Sequence, residues 1–316
     1  MSARRRIDVH QHVVPPCWAE ALPAHGGDPS GWSSPDWSPD SALAFMDSLQ
    51  IETGVLSLTA PGVHGWHGQA KREMARRVNE YEADLVAKRP TRFGHFATLP
   101  LPDVDGALAE IGHAFDTLHA DGVVLLSNYD GVYLGDAAFE RVWAELDRRH
   151  AVVFIHPAKP PIDALAGMPG PLLDYPFDTT RTAVQLVLNG VITRYPNVRI
   201  ILSHAGGFLP YAAYRFAELA PGVREDVPNR EGLIDLFRTF YFDTALSSPS
   251  ALPSLTAFAH PDRLLYGSDF PYAPRSVSRS FTAAQDGHLA LSAEQHAAIN
   301  RGNALPLFPR LAALAQ

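Results

Sequence analysis

The stretch Arg6-Ile7-Asp8-Val9-His10-Gln11-His12-Val13-Val14-Pro15-Pro16 decides the fold. Its first seven residues read as a β-strand, Arg6–His12, in which Ile7 and Val9 alternate with Asp8, His10 and His12. Successive side chains of a strand point to opposite faces, so Asp8, His10 and His12 share one face, about 6.6 Å apart in turn. The residues after the strand carry equal weight. An open, doubly wound sheet needs a Gly-rich phosphate loop at this point, and Val13-Val14-Pro15-Pro16 is no such loop.

Working outward, seven further short apolar runs read as strands: Thr53–Thr59, Arg92–Leu99, Gly122–Ser127, Ala151–His156, Arg199–His204, Phe240–Thr244 and Arg263–Ser268. Amphipathic helical patterns lie between them, at Ser41–Leu49, Lys71–Lys88, Val104–His119, Phe139–His150, Thr179–Tyr195 and Leu209–Ala220, with a late one at Ser292–Asn300. Eight alternating units predict an α/β fold, a (β/α)8 TIM barrel of parallel strands joined by right-handed crossovers. Six or fewer would have pointed to an open sheet. No internal repeat or long linker divides the chain, so residues 1–316 are expected to form a single domain. A loop insertion at about 13–40, rich in Pro, Gly, Ser and Trp, breaks the alternation. Such a loop after a barrel strand is expected to be an active-site lid or a subunit contact, the plain alternative being a surface excursion.

Bulk composition excludes several function classes. Of the 316 residues 46% are hydrophobic and 19% charged, which is ordinary for a globular protein. The formal charge of -8 and the lack of a basic cluster beyond Arg4-Arg5-Arg6 argue against a nucleic-acid partner. Those arginines precede Ile7-Asp8-Val9-His10 rather than an apolar core, so a secretory leader is not expected. No run approaches the roughly 20 apolar residues of a membrane span. The single cysteine, Cys17, forms no internal disulfide and no thiolate metal site, which fits a cytoplasmic protein.

The chemistry concentrates where apolar runs end. Beside the His10-Gln11-His12 pair, Val152–Ile155 runs into His156-Pro157, Ile200–Ser203 into His204-Ala205-Gly206-Gly207, and Leu264–Ser268 into Asp269-Phe270-Pro271. A lone histidine at a strand end is more often a satisfied core residue than a ligand. Four separate strands delivering histidines and a carboxylate to one barrel rim point to a metal site. Imidazole nitrogens with a carboxylate oxygen suit Zn²⁺ first, with Mn²⁺ or Fe²⁺ as alternatives. Dinuclear relatives of this barrel class usually bridge their metals through a modified lysine on the fourth strand; Gly122–Ser127 contains none, so one metal per chain is expected.

These motifs resemble the amidohydrolase superfamily: Asp8-x-His10-x-His12, His156, Ser203-His204-Ala205-Gly206-Gly207 and Gly267-Ser268-Asp269-Phe270-Pro271. Within it the chain resembles the non-oxidative decarboxylases of aminocarboxymuconate semialdehyde and γ-resorcylate, nearly end to end. Segments Gly26–Trp32, Asn128–Asp136 and Phe177–Arg181 are similar to 6-methylsalicylate decarboxylases. The resemblance implies a barrel of the metal-dependent hydrolase type with His10, His12, His156 and Asp269 as metal ligands. It implies His204 near the metal without ligating it, and Asp8 as an acidic neighbour that orients His10 or His12. His204, Asp269 and Asp8 are thus the candidate catalytic residues.

The implied reaction is protonation of a ring carbon followed by loss of CO2 from a small ortho-hydroxy aromatic acid. Asp269 is the candidate proton donor, with His204 or a bound water in its place. The alternatives are hydrolysis of a lactone, amide or ester by the same ligands, and a barrel that has lost catalysis and serves as a scaffold, which the complete ligand set argues against. No arginine or lysine occurs from Ile7 to Ala70, where some relatives hold the substrate carboxylate. That task therefore falls to the metal, with Arg181 as a remote helper. Trp32, Tyr133 and Phe270 are the expected aromatic walls, each open to a packing role instead. Asp243, near the end of the seventh strand, either reaches the site or caps a buried network. His95 reads as structural, and His113, His119, His150, His288 and His296 as helix-surface residues. The family also implies a homodimer.

Overall fold

Eight parallel strands form one sheet in chain order: β1 (Arg6–His12), β2 (Ile51–Ser57), β3 (Phe93–Thr98), β4 (Gly122–Leu126), β5 (Val152–His156), β6 (Arg199–Leu202), β7 (Tyr241–Asp243) and β8 (Leu264–Leu265). The structure is a computed structural model and describes residues 5–314, so Arg4 of the basic cluster lies outside the described residues. The regular ladder of β8 is shorter than the strand expected at Arg263–Ser268. The chain beyond it nevertheless closes the barrel onto β1. Val9 N donates to Tyr266 O (3.0 Å), Asp269 N to His10 O (2.8 Å) and His12 N to Phe270 O (2.7 Å). The expected (β/α)8 barrel is therefore borne out.

The sheet is wrapped by helices α1 (Pro39–Ser48), α2 (Gly68–Lys88), α3 (Val104–Asp116), α4 (Glu140–Arg148), α5 (Gly170–Leu188), α6 (Leu209–Leu219), α7 (Arg230–Phe237), α8 (Leu252–Phe258) and α9 (Arg275–Asp286). The expected helix at Thr179–Tyr195 is displaced. Helix α5 begins at Gly170, nine residues before 179, and the chain breaks at Gly190 in the left-handed region (φ 71°) before a separate turn, Val191–Arg194. Pro176 inside α5 lacks an N–H, and the helix continues through it; just beyond, the hydroxyls of Thr179 and Thr180 donate to the carbonyls of Tyr175 and Pro176. Three of these nine helices went unanticipated, α7 and α8, both short, and the Ser/Arg-rich α9, as did short helices at Pro16–Ala19 and Pro309–Leu314. A two-stranded hairpin, Asn128–Tyr129 with Val132–Tyr133, also follows β4. Its Asp130-Gly131 turn has both residues at positive φ (53° and 84°), which suits that dipeptide.

The barrel interior is filled by Val9, Val55, Phe96, Phe154, Ile201 and Leu265, and Leu307, Phe308 and Leu311 of the C-terminal segment pack against this cluster. Phe96 stacks on Phe154 at 5.6 Å between ring centroids, and Phe154 meets the His10 ring edge-on at 4.9 Å. The apolar plug thus forms the floor beneath the polar rim. The 13–40 insertion folds back onto this rim. Trp18 is fully buried and donates to Gly62 O at 2.8 Å, and His25 stacks on Trp66 at 4.3 Å.

Candidate metal centre and active-site cavity

His10 and His12 come from the end of β1, His156 from the end of β5, and Asp269 from the loop after β8. One ligand atom from each lies within 4.8 Å of all the others, and all four residues are buried. His10 Nε2 stands 3.1 Å from His12 Nε2, and Asp269 Oδ1 lies 3.2 Å and 3.0 Å from these two nitrogens. The His156 ring faces both, at centroid distances of 5.3 Å and 4.9 Å.

The fit to a cation comes from the groups that hold each ring from behind. His10 Nδ1 donates to Asp243 Oδ2 at 2.7 Å, His12 Nδ1 to Ser57 Oγ at 3.2 Å, and His156 Nδ1 to Pro157 O at 2.8 Å. With the proton at Nδ1, three Nε2 lone pairs and one carboxylate oxygen converge on a single point. Neutral imidazoles so arranged repel one another until a cation enters. Burial disfavours charge on His10, but Asp243 and Asp269 override it and raise its pKa to about 10. Burial, with the charges of His12, His10 and His204, holds His156 well below the ordinary histidine value. Burial likewise opposes ionisation of Asp269, yet His10, His12 and His204 hold it well below the usual carboxylate range.

His204 joins the cluster without entering the ligand set. Its Nε2 is 3.5 Å from Asp269 Oδ2, and its ring lies 4.8 Å from that of His10. Its backbone is bent into place: His204 (φ 52°), Ala205 (φ 57°) and Asp269 (φ 60°) all occupy the left-handed region, an unusual conformation that here aims side chains into the rim. Gly207 completes the bend, and a Cβ there would strike the carbonyl of Pro176 in α5.

Asp243 does both things weighed for it. One oxygen holds His10, and the other accepts the backbone N–H groups of His204 (3.0 Å) and Ala245 (2.9 Å). Asp8 sits elsewhere than expected. It is fully buried and accepts from His10 N (3.1 Å), Ser268 N (3.0 Å) and Ser268 Oγ (2.6 Å), so it braces backbone and touches neither imidazole. Burial pushes its carboxyl up to about 7.

A cavity of about 610 Å³ opens above the cluster, with His156, His204 and Asp269 in its floor and Trp32, Tyr175, Tyr272 and Phe281 in its walls. No arginine or lysine lines it among the described residues. Trp32 lines this cavity, and with Asp28 it brings the insertion to the cavity wall. Three expected substrate contacts are corrected. Phe270 turns away into the core, stacked on Phe45 at 4.1 Å, because it follows the left-handed Asp269. Tyr133 donates to Asp178 at 2.6 Å on the outer side of the barrel. Arg181, 3.8 Å from Asp178, shares a separate surface groove with Tyr133 on α5. Sequence reasoning also missed Tyr175 and Tyr272. Tyr272 carried a signal, standing three residues beyond Asp269 in the same rim loop.

A barrel that gathers three histidines and one aspartate at its strand ends, within reach of a single cation, defines a class of metal-dependent enzymes. The amidohydrolase family model matches residues 7–310, and the chain belongs to that family. The 6-methylsalicylic acid decarboxylase of Penicillium expansum is 43% identical over 97% of this chain and 97% of its own. Among solved structures, an amidohydrolase II superposes with a TM-score of 0.90 at 35% identity, covering 96% of this chain and 99% of its own. A dihydroxybenzoic acid decarboxylase from Polaromonas, crystallised with manganese and 2-nitroresorcinol, gives a TM-score of 0.78 at 25% identity, covering 98% and 97%. Among the described residues no helix is long and apolar enough to cross a membrane.

Proposed function

We propose that this enzyme is a metal-dependent carboxy-lyase that removes CO2 non-oxidatively from an ortho-hydroxy aromatic acid such as 6-methylsalicylate. One observation carries the reading: the His10, His12, His156 and Asp269 donors converge, and His156 and Asp269 of this group open into a largely apolar cavity that no arginine or lysine lines among the described residues. An aromatic carboxylate entering it has only the metal to meet its charge, and the activity named for the Penicillium expansum relative supports the same reading. A divalent metal held by these four residues supplies, when bound, the positive charge that takes up adjacent carboxylate and phenolate oxygens.

The chain's own residues do the rest. Trp32, Tyr272 and Phe281 hold the ring and exclude water. His204 and Asp269, 3.5 Å apart, form the pair that moves a proton onto the ring carbon bearing the carboxylate. The carbon–carbon bond then breaks, its electron pair restores aromaticity, and CO2 departs. Asp243 keeps this pair in register through His10 and the backbone of His204. Asp8 acts from further back, through the His10 and Ser268 backbone.

One metal per chain is proposed. The donor set suits Zn²⁺ and Mn²⁺ alike, and the manganese in the Polaromonas enzyme favours giving Mn²⁺ equal standing. The unit is proposed to be a homodimer. Leu172, Phe177, Tyr211 and Tyr214 leave a broad apolar face exposed along α5 and α6, which a second copy would cover. Metal-loaded protein is expected to release CO2 from members of a salicylate panel and to leave aryl lactones intact. Lactone hydrolysis without CO2 release would overturn the assignment.

A further inference from the structure

The sequence contains three lysines, Lys71, Lys88 and Lys159. Two of them, Lys71 and Lys159, line one cavity of about 230 Å³ at the same barrel rim as the metal centre. Its walls are mostly apolar and include Pro61, Val63, Leu101, Leu126 and Pro160. Asp28, Ala60 and Tyr175 line both this cavity and the larger one above the metal centre, so a single layer of side chains divides them. The Tyr175 ring stands 6.2 Å from that of His156, edge to face.

Lys71 lies in the first turn of α2 and is 8% exposed. Among the described residues its ammonium has one hydrogen-bond acceptor, Leu101 O at 3.2 Å. Burial pushes its pKa down, and Asp130 and Asp103 counter this only in part. An ammonium has three donors, and burying it beside one neutral acceptor is costly unless an anion joins it. The acids of the same wall are otherwise engaged. Asp130 pairs with His64 at 3.3 Å on the exposed rim, and Asp28 accepts from Ser30 N at 2.8 Å.

We propose that this cavity is a second binding site, for an aromatic carboxylate held by Lys71, from which substrate passes Tyr175 to reach the metal centre. The identity of the ligand rests on the decarboxylase reading. The apolar walls select a ring over bicarbonate, because a small hydrated anion would leave them uncovered.

The probe is 4-fluorobenzoate, which lacks the ortho hydroxyl, titrated into metal-loaded protein and followed by fluorine NMR. Wild type is expected to bind two molecules per chain and Lys71→Met one. One molecule per wild-type chain, or two per Lys71→Met chain, overturns the proposal. If Lys71→Met does not fold, wild type with carbon-labelled lysine gives an independent reading, since three lysines are readily resolved. The Lys71 signal is expected to move with 4-fluorobenzoate and not with bicarbonate; no movement, or equal movement with both, overturns it. Neither readout involves CO2 release. A missing second site therefore leaves the decarboxylase reading standing, and a failed CO2 assay leaves the second site standing.

Discussion

Replacing Asp243 with asparagine tests how the metal centre is held. One oxygen of Asp243 accepts from His10 Nδ1 at 2.7 Å, and the other accepts two backbone N–H groups, those of His204 and Ala245. Asparagine has a single oxygen, and keeping two backbone bonds outweighs keeping one. Its NH2 group therefore turns to His10 Nδ1, which must then accept, so the imidazole proton moves to Nε2, the nitrogen aimed at the metal. Loss of such a partner lowers metal affinity about 10–100-fold, or about 1.4–2.7 kcal/mol. In wild type burial disfavours charge on His10, but the Asp243 carboxylate together with that of Asp269 raises its pKa to about 10, so protons compete with metal at lower pH. Affinity measured by chelator competition is then expected to climb from pH 6 to pH 9 in wild type, and less steeply in Asp243→Asn. An affinity within threefold of wild type, with the same pH slope, refutes the argument.

Further outcomes come from the packing. Glu82 lies 3.4 Å from His95 with both fully buried, and burial lifts its carboxyl to about 7 from 4.5. A raised folded pKa means stability that is full below pH 4.5 and is lost as pH rises to about 7. Glu82→Gln, which cannot ionise, should therefore gain on wild type across that window by on the order of 3 kcal/mol, read by urea melts at pH 5 and pH 8; equal differences at the two pH values contradict it. Phe270 packs on Phe45 and not in the cavity. Phe270→Leu is thus expected to cost about 1–2 kcal/mol of stability while KM stays within threefold, and a large KM rise with unchanged stability would restore it as a substrate contact.

The sequence disclosed the barrel and its centre because both are written locally. Each strand is a short apolar run, and each metal-site residue stands where such a run ends, so His10, His12, His156 and Asp269 could be gathered without knowing the packing. Asp243 was visible at a strand end, but its reach to His10 depends on how barrel closure sets β7, which pairs with β6 and β8, relative to β1. The misplaced aromatics fail for a related reason. Phe270 adjoins a ligand, yet the left-handed backbone of Asp269 sends the next side chain to the opposite face. Tyr133 and Arg181 belong to two segments that carry a resemblance, but both line the separate surface groove, Arg181 from α5, which begins at Gly170. Tyr175 was missed because the helix containing it, which begins at Gly170, was expected to start nine residues later, at Thr179. Helix α9 was missed because its exposed face is rich in serine and arginine and its apolar stripe is thin.

The most direct test couples metal content to turnover on one sample. CO2 release from 6-methylsalicylate is measured together with metal per chain, in wild type, in chelator-stripped protein and in His156→Ala. The account predicts one divalent metal per chain with CO2 release in wild type, and loss of release in the other two, restored to the stripped protein by Zn²⁺ or Mn²⁺. Undiminished release from stripped protein, or wild type that binds no metal, would contradict it.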